Sequence, residues 1–104
     1  MRDGSFHKGI DIPAPAGTDI LASKAGTVSS YTASDYGNYI IIAHGDGSQT
    51  LYAHCSSFIV RSGYVSQGQA IAKVGSTGRS TGNHLHFEII INGSNVDPAP
   101  YVGA

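Results

Sequence analysis

The chain has 104 residues, enough for one small domain, and we expect residues 1–104 to be a single domain excised from a longer protein. Only 12% of the residues are charged and the formal net charge is -1, so there is no electrostatic reason to expect a nucleic-acid or anionic-membrane partner. The 40% hydrophobic share argues against disorder, and no apolar run approaches the roughly 18 residues of a membrane span.

Short strands and turns are predicted along the whole chain. The 14 glycines occur among Ser and Thr clusters, and no segment shows sustained helical periodicity. A short strand is predicted at 10–13, a turn and a short strand at 17–22, and the start of another strand at 26–28. Further strands are predicted at 38–44, 49–54, 70–74 and 84–91. Loops are predicted at 31–37, 60–68 and 76–83, hairpin turns at 45–47 and 92–93, and an extended tail at 97–100.

Two segments resemble each other. Residues 17–26 and 68–75 both read as a glycine, a short apolar strand and a second glycine. This pattern is mild support for a repeated β unit, although a glycine-rich chain also produces it by chance.

The last long predicted strand carries two histidines in alternation. His84 and His86 are two residues apart, so in a strand they lie on one face, roughly 6.6 Å from each other. Leu85 and Phe87 fall on the other face and supply the core side. Two imidazoles so placed can address one point above the sheet, and the alternative is a pair of solvent-facing polar residues.

Near the start of the chain, His7 and Asp11 are four residues apart. On a straight strand they would be roughly 13 Å apart, too far to share one ion. They can converge only if the chain bends, and Gly9 between them permits a bend. Alone, this pair is a weak signal that an ordinary polar loop would also give.

Two further histidines flank the predicted 45–47 turn. His54 is expected to share one strand face with Tyr52, and His44 is expected to have a structural role, bonded to turn backbone.

His7, Asp11 and one of His84 or His86 would make a set of two histidines and one carboxylate. Catalytic zinc sites use three protein ligands of this kind and leave a position for water. The lone Cys55 cannot form an internal disulfide or a closed zinc site, and it is expected to be a small buried hydrophobe.

Together these motifs resemble the lysostaphin/LytM-type zinc endopeptidases, which cut peptidoglycan cross-links. The resemblance covers almost the whole chain and rests on three ordered motifs: His7-x3-Asp11, Tyr52-x-His54 and His84-x-His86-Phe87-Glu88. It implies a small all-β fold, an antiparallel sheet of sandwich-hybrid type with a groove walled by loops and little or no helix.

The resemblance also implies roles for the site residues. His7, Asp11 and His86 would bind one zinc ion, and His54 and His84 would be the catalytic pair. Glu88 lies on the same strand face as His86 but two residues further along, so proton transfer is assigned to the histidines. Which of them is acid and which is base stays open.

The implied function is zinc-dependent hydrolysis of peptide cross-links or stem peptides of bacterial peptidoglycan. The implied partner is the peptidoglycan peptide, the expected state is a monomer, and the expected location is extracellular, in the cell wall or in the periplasm, with a phage origin also possible. The main alternative is a catalytically silent regulatory or binding module for the cell wall. A biotinyl or lipoyl carrier domain is disfavoured, because no lysine sits in an obvious exposed tight turn.

Overall fold

The computed structural model of the chain describes residues 9–78 and 82–96, and all regular secondary structure in these ranges is β-strand. Strand accounts for 63% of the structure, which confirms the predicted all-β antiparallel fold. The strands are β1 (Gly9–Pro13), β2 (Asp19–Leu21), β3 (Gly26–Ala33), β4 (Gly37–Ala43), β5 (Ser48–Phe58), β6 (Ser62–Val65), β7 (Ala70–Val74), β8 (His84–Ile91) and β9 (Ser94–Val96). The described ranges contain no helix capable of spanning a membrane.

The main sheet has the strand order β1-β8-β5-β4-β3-β6, and every neighbouring pair is antiparallel. β9 pairs with the end of β8 that extends beyond β1. β7 pairs with β5 and also with β2. β2 and β7 belong to the two similar glycine-bounded segments of the sequence, so these segments are partners in one antiparallel ladder.

One face of the main sheet carries the hydrophobic core. The core-facing side chains pack against residues of β2 and β7 in one cluster that includes Ile20, Ile40, Ile42, Tyr52, Ile71, Phe87 and Ile89. In β8, Phe87 and Ile89 alternate with His86 and Glu88, so the polar side chains of this strand point to the other face. We call this other face, defined by His84, His86 and Glu88 of β8 and Asp11 of β1, the open face.

Two predicted loops contain strand residues. Within 31–37, β3 continues to Ala33 because Tyr31 pairs with Tyr39 of β4, and their rings stack with centroids 5.2 Å apart. Within 60–68, β6 pairs with the outer edge of β3. β6 has no clear hydrophobic pattern, since only Val65 is buried while Tyr64 is 73% exposed. The two hairpin turns are present, and the predicted tail at 97–100 lies outside the described residues.

Candidate active site

Strand pairing brings Asp11 and His86 into contact on the open face. The β1–β8 register places these two residues directly opposite each other. Asp11 Oδ1 lies 2.8 Å from His86 Nδ1 and 3.5 Å from His84 Nε2. His84 and His86 share one face of β8, as their spacing predicts.

His54 completes the cluster from β5. Its ring centroid lies 4.9 Å from that of His84 and 6.1 Å from that of His86. Four of the predicted site residues, Asp11, His54, His84 and His86, therefore meet at one place on the open face. The fifth, His7, lies outside the described residues.

His54 reaches the open face through an unusual backbone conformation. Its φ is 64°, in the left-handed region, and this breaks the strand alternation. The prediction that Tyr52 and His54 share a face is therefore wrong. Tyr52 lies in the core, where its ring contacts Phe87 and its hydroxyl bonds to Ser23 and Thr50.

Backbone carbonyls fix the orientation of two histidine rings. His54 Nδ1 donates to the carbonyl of Thr77 at 2.7 Å, and His84 Nδ1 donates to that of Gly82 at 3.0 Å. A carbonyl can only accept, so Nδ1 carries the proton in both rings. In the neutral form, Nε2 of each ring then holds a lone pair that can take up a proton.

His86 is held differently, between two carboxylates. Its Nε2 donates to Glu88 Oε2 at 2.9 Å and its Nδ1 donates to Asp11 Oδ1 at 2.8 Å. The hydrogen bond to Glu88, with a further contribution from Asp11, raises the pKa of His86 although burial opposes the shift. Glu88 is 2% exposed, and it also accepts a hydrogen bond from the Tyr36 hydroxyl. Burial and that bond raise the pKa of Tyr36, so its hydroxyl stays protonated at neutral pH.

The donor atoms of this cluster suit a zinc ion, although the described ranges do not contain a complete set of three converging ligands. Asp11 offers a carboxylate oxygen and His86 an imidazole nitrogen, 2.8 Å apart and aimed at each other. Oxygen and nitrogen ligands of these types are common in catalytic zinc sites. The carboxylate of Glu88 on the other nitrogen of His86 is the usual arrangement around a metal-binding histidine.

Residues 5–98 match the family model described as Peptidase family M23. The chain belongs to peptidase family M23. Among its relatives is the DD-carboxypeptidase/endopeptidase Mpg of Neisseria meningitidis serogroup B, which is 50% identical over 94 residues covering 89% of this chain and 22% of the relative. Another is the peptidoglycan DD-endopeptidase ShyA of Vibrio cholerae, 43% identical over 93 residues covering 88% of this chain and 22% of the relative. The chain thus spans about a fifth of the length of these curated relatives.

Solved M23 structures share the fold. The catalytic domain of lysostaphin from Staphylococcus simulans matches with a TM-score of 0.88 and 33% identity, covering 98% of this chain and 83% of that one. A zinc-containing peptidase from Vibrio cholerae matches with a TM-score of 0.83 and 36% identity, covering 86% and 28% of the two chains. The resemblance to lysostaphin/LytM-type peptidases is therefore confirmed.

Sequence reasoning assigned no role to three residues that support the site of this M23 chain. The spacing placed Glu88 on the same strand face as His86, but its hydrogen bond to the His86 ring was not predicted. Tyr36 and Thr77 had no such signal, since both lie in segments predicted as loops and meet the histidines only through folding.

The two remaining residues singled out in the sequence are structural. His44 bonds through its ring nitrogens to the Ala25 carbonyl and to Thr50 Oγ1, so its side chain holds Ala25 and β5 rather than turn backbone. Cys55 is fully buried in the core cluster. Burial raises the pKa of its thiol to about 12, which removes it as a nucleophile at neutral pH.

Proposed function

We propose that this M23 chain is the catalytic domain of a zinc-dependent endopeptidase that hydrolyses peptide cross-links or stem peptides of bacterial peptidoglycan. The observation that carries the proposal is the convergence of Asp11 and His86, 2.8 Å apart, with the rings of His54 and His84 beside them. An imidazole and a carboxylate as metal ligands, with two histidines beside them to transfer protons, suit metal-assisted hydrolysis of an amide.

In this proposal His7, Asp11 and His86 hold the zinc ion. A bound zinc ion supplies Lewis acidity, which polarises the substrate carbonyl and makes a water nucleophilic near neutral pH. The Vibrio cholerae neighbour is a zinc-containing peptidase, which supports the choice of metal. Glu88 holds the Nε2 proton of His86, so Nδ1, on the Asp11 side, is the nitrogen that would give up its proton to bind zinc.

His54 and His84 carry the protons of the reaction. As water oxygen bonds to the peptide carbonyl carbon, its proton passes to Nε2 of one of these rings. When the C–N bond breaks, the leaving nitrogen takes that proton from an imidazole, the remaining proton of the water passes to the amine or to solvent, and a new carboxylate and a new amine are released. Because Nδ1 of each ring is held by a backbone carbonyl, Nε2 is the atom that exchanges the proton.

The names of the relatives support the proposed substrate and setting. A relative is named a peptidoglycan DD-endopeptidase, which supports a cell-wall peptide as the substrate. The domain would then act outside the cell, in the wall or in the periplasm, as a monomer. A phage-encoded origin is compatible with the match to the prophage-encoded M23 protein EnpA of Enterococcus faecalis.

The test incubates the zinc-loaded protein with purified peptidoglycans of several cross-link types and identifies the new termini by mass spectrometry. Replacing His54 or His84 with Ala should retain zinc but lower turnover by about 10²- to 10⁴-fold, the usual contribution of a general acid or base. Replacing His7, Asp11 or His86 with Ala should lose the zinc itself. His44→Gln is the matched control and should retain both zinc and turnover.

Full turnover in protein verified to be metal-free would overturn the zinc mechanism. A wild-type chain that binds no zinc and releases no termini would instead identify a silent regulatory module.

A further inference from the structure

Tyr36 contacts the proposed zinc ligand His86 directly and is also linked to it through Glu88. It lies in the 34–36 turn between β3 and β4, fifty residues before His86 in the chain. Its ring stacks on the His86 imidazole, with centroids 5.7 Å apart and planes 26° apart. Its hydroxyl donates to Glu88 Oε2, the same oxygen that accepts from His86 Nε2.

The backbone of Tyr36 is also tied to the site. Its carbonyl accepts a hydrogen bond from the backbone amide of His54 at 2.9 Å. His54 is the residue whose φ lies in the left-handed region. The Tyr36 ring also contacts the ring of Tyr39, which lies edge-on with centroids 5.3 Å apart. One turn residue therefore reaches both the ring of His86 and the main chain of His54.

We propose that Tyr36 is a positioning residue that holds His86 in the tautomer and orientation needed to bind zinc. The inference rests on the proposed function, in which His86 is a zinc ligand. The Tyr36 hydroxyl directs Glu88 Oε2 toward His86 Nε2, and the carboxylate keeps the proton on that nitrogen. His86 Nδ1, on the Asp11 side, is then the nitrogen left to bind zinc in place of its proton, while the stacked ring limits rotation of the imidazole.

The two contacts can be separated by substitution. Tyr36→Phe removes the hydroxyl but keeps the ring and the backbone carbonyl. Tyr36→Leu removes the stacking ring as well. Glu88→Gln keeps an acceptor for both neighbours but removes the charge, and it provides an independent variant if a change at Tyr36 disturbs folding. Tyr64→Phe is the matched control, because it also removes one phenol hydroxyl but at a residue that is 73% exposed on β6.

Two measurements distinguish positioning from a purely structural role. Competition with a chromogenic chelator gives the zinc dissociation constant, and NMR of the zinc-loaded protein follows the Nε2 proton of His86. We expect Tyr36→Phe and Glu88→Gln each to weaken zinc binding about 10-fold or more, as is typical for partners of metal-binding histidines. The Nε2 proton should shift and exchange faster with water in both variants. Tyr36→Leu should weaken binding further, and Tyr64→Phe should change neither quantity.

Zinc binding and an Nε2 resonance that are the same in Tyr36→Phe, Glu88→Gln and wild type would overturn the inference and leave the proposed function intact. A wild-type chain that fails to bind zinc would overturn the proposed function, and the role of Tyr36 would fall with it. A lower melting temperature of the metal-free Tyr36→Phe variant with an unchanged zinc dissociation constant would also count against positioning.

Discussion

His54 shows how one backbone torsion decides what a side chain does. Strict alternation from Tyr52 would send His54 into the core, whereas its φ of 64° turns it to the open face. A left-handed non-glycine residue costs on the order of 1–3 kcal/mol, which the surrounding structure must offset. The Tyr36 carbonyl and the Thr77 carbonyl accept hydrogen bonds from the His54 amide and ring, and both bonds hold this conformation. The sequence identified His54 by motif but could not show this reversal.

Cys55 follows His54 in the chain, but its side chain lies in the hydrophobic core. It is fully buried, and burial raises the pKa of the thiol to about 12. Native protein at pH 8 should therefore react with a thiol reagent such as DTNB only through unfolding, far more slowly than a free cysteine. The same protein in guanidinium is the control and should react at once. Rapid labelling of the native protein would show that the thiol is accessible and ionised.

At the scale of elements, the site depends on three segments that contact one another: residues 35–38, β5 near Cys55, and residues 77–78. Thr77 links them, since its hydroxyl donates to the Cys55 carbonyl at 2.7 Å and accepts from the Asn38 amide at 3.1 Å. Gly37 and Gly78 both have positive φ values, 65° and 75°. A Cβ on Gly78 would overlap the backbone nitrogen of Gly37, so only glycine permits this approach.

Gly78→Ala is therefore expected to destabilise the domain by roughly 3 kcal/mol, from left-handed strain together with the backbone clash. Gly17→Ala is the control, because Gly17 has a φ of 88° but a methyl group on its Cα would meet no atom within 4 Å. The free energy of unfolding of Gly17→Ala should fall only by the cost of placing an alanine in the left-handed region, about 1 kcal/mol. Urea unfolding of both variants measures the difference. Equal losses would mean that the contact between the 35–37 and 77–78 segments is not a constraint.

The elements that could be predicted are those with a clear local pattern. β8, β4 and the turns at 45–47 and 92–93 follow from alternation, β-branched residues and turn-forming glycines. β6 could not be predicted, because it is an edge strand with one buried side chain, Val65, and is otherwise held by pairing with β3. The pairing of Asp11 with His86 could not be predicted from local sequence patterns either, because the two residues are far apart in the chain. The expectation that these two residues bind the same ion came from the family resemblance.

On the scale of the whole molecule, the sheet separates stability from chemistry. The core lies on one face with Tyr52 and Phe87, and His54, His84 and His86 lie on the other with Asp11. Asp11 keeps 55% of its side-chain area exposed, so the pair is reachable from solvent. Alternation in β8 predicted this division, whereas the position of His54 on the open face required the structure.

Zinc should consequently stabilise the fold without being required for it. At a free zinc concentration 100 times the dissociation constant, binding adds about 2.7 kcal/mol. For a domain of this size that corresponds to a rise in melting temperature of roughly 10 to 20 °C, measurable by calorimetry with and without chelator. Asp11→Ala, which removes an exposed proposed ligand, should melt like the metal-free wild type at both zinc levels. Identical melting of the wild type with and without zinc would contradict this.

The pairing of β1 with β8 has a consequence for how the chain folds. Asp11 and His86 are separated by 75 positions, so their contact closes a loop that includes most of the protein. Loops of this length are entropically costly to close, and antiparallel folds built from such contacts fold slowly. During synthesis, β1 is made early but cannot pair until β8 has been made, and the cluster requires that pairing. A growing chain therefore lacks the assembled cluster until nearly all of the domain has emerged, and the cluster is expected to form as one of the last events of folding.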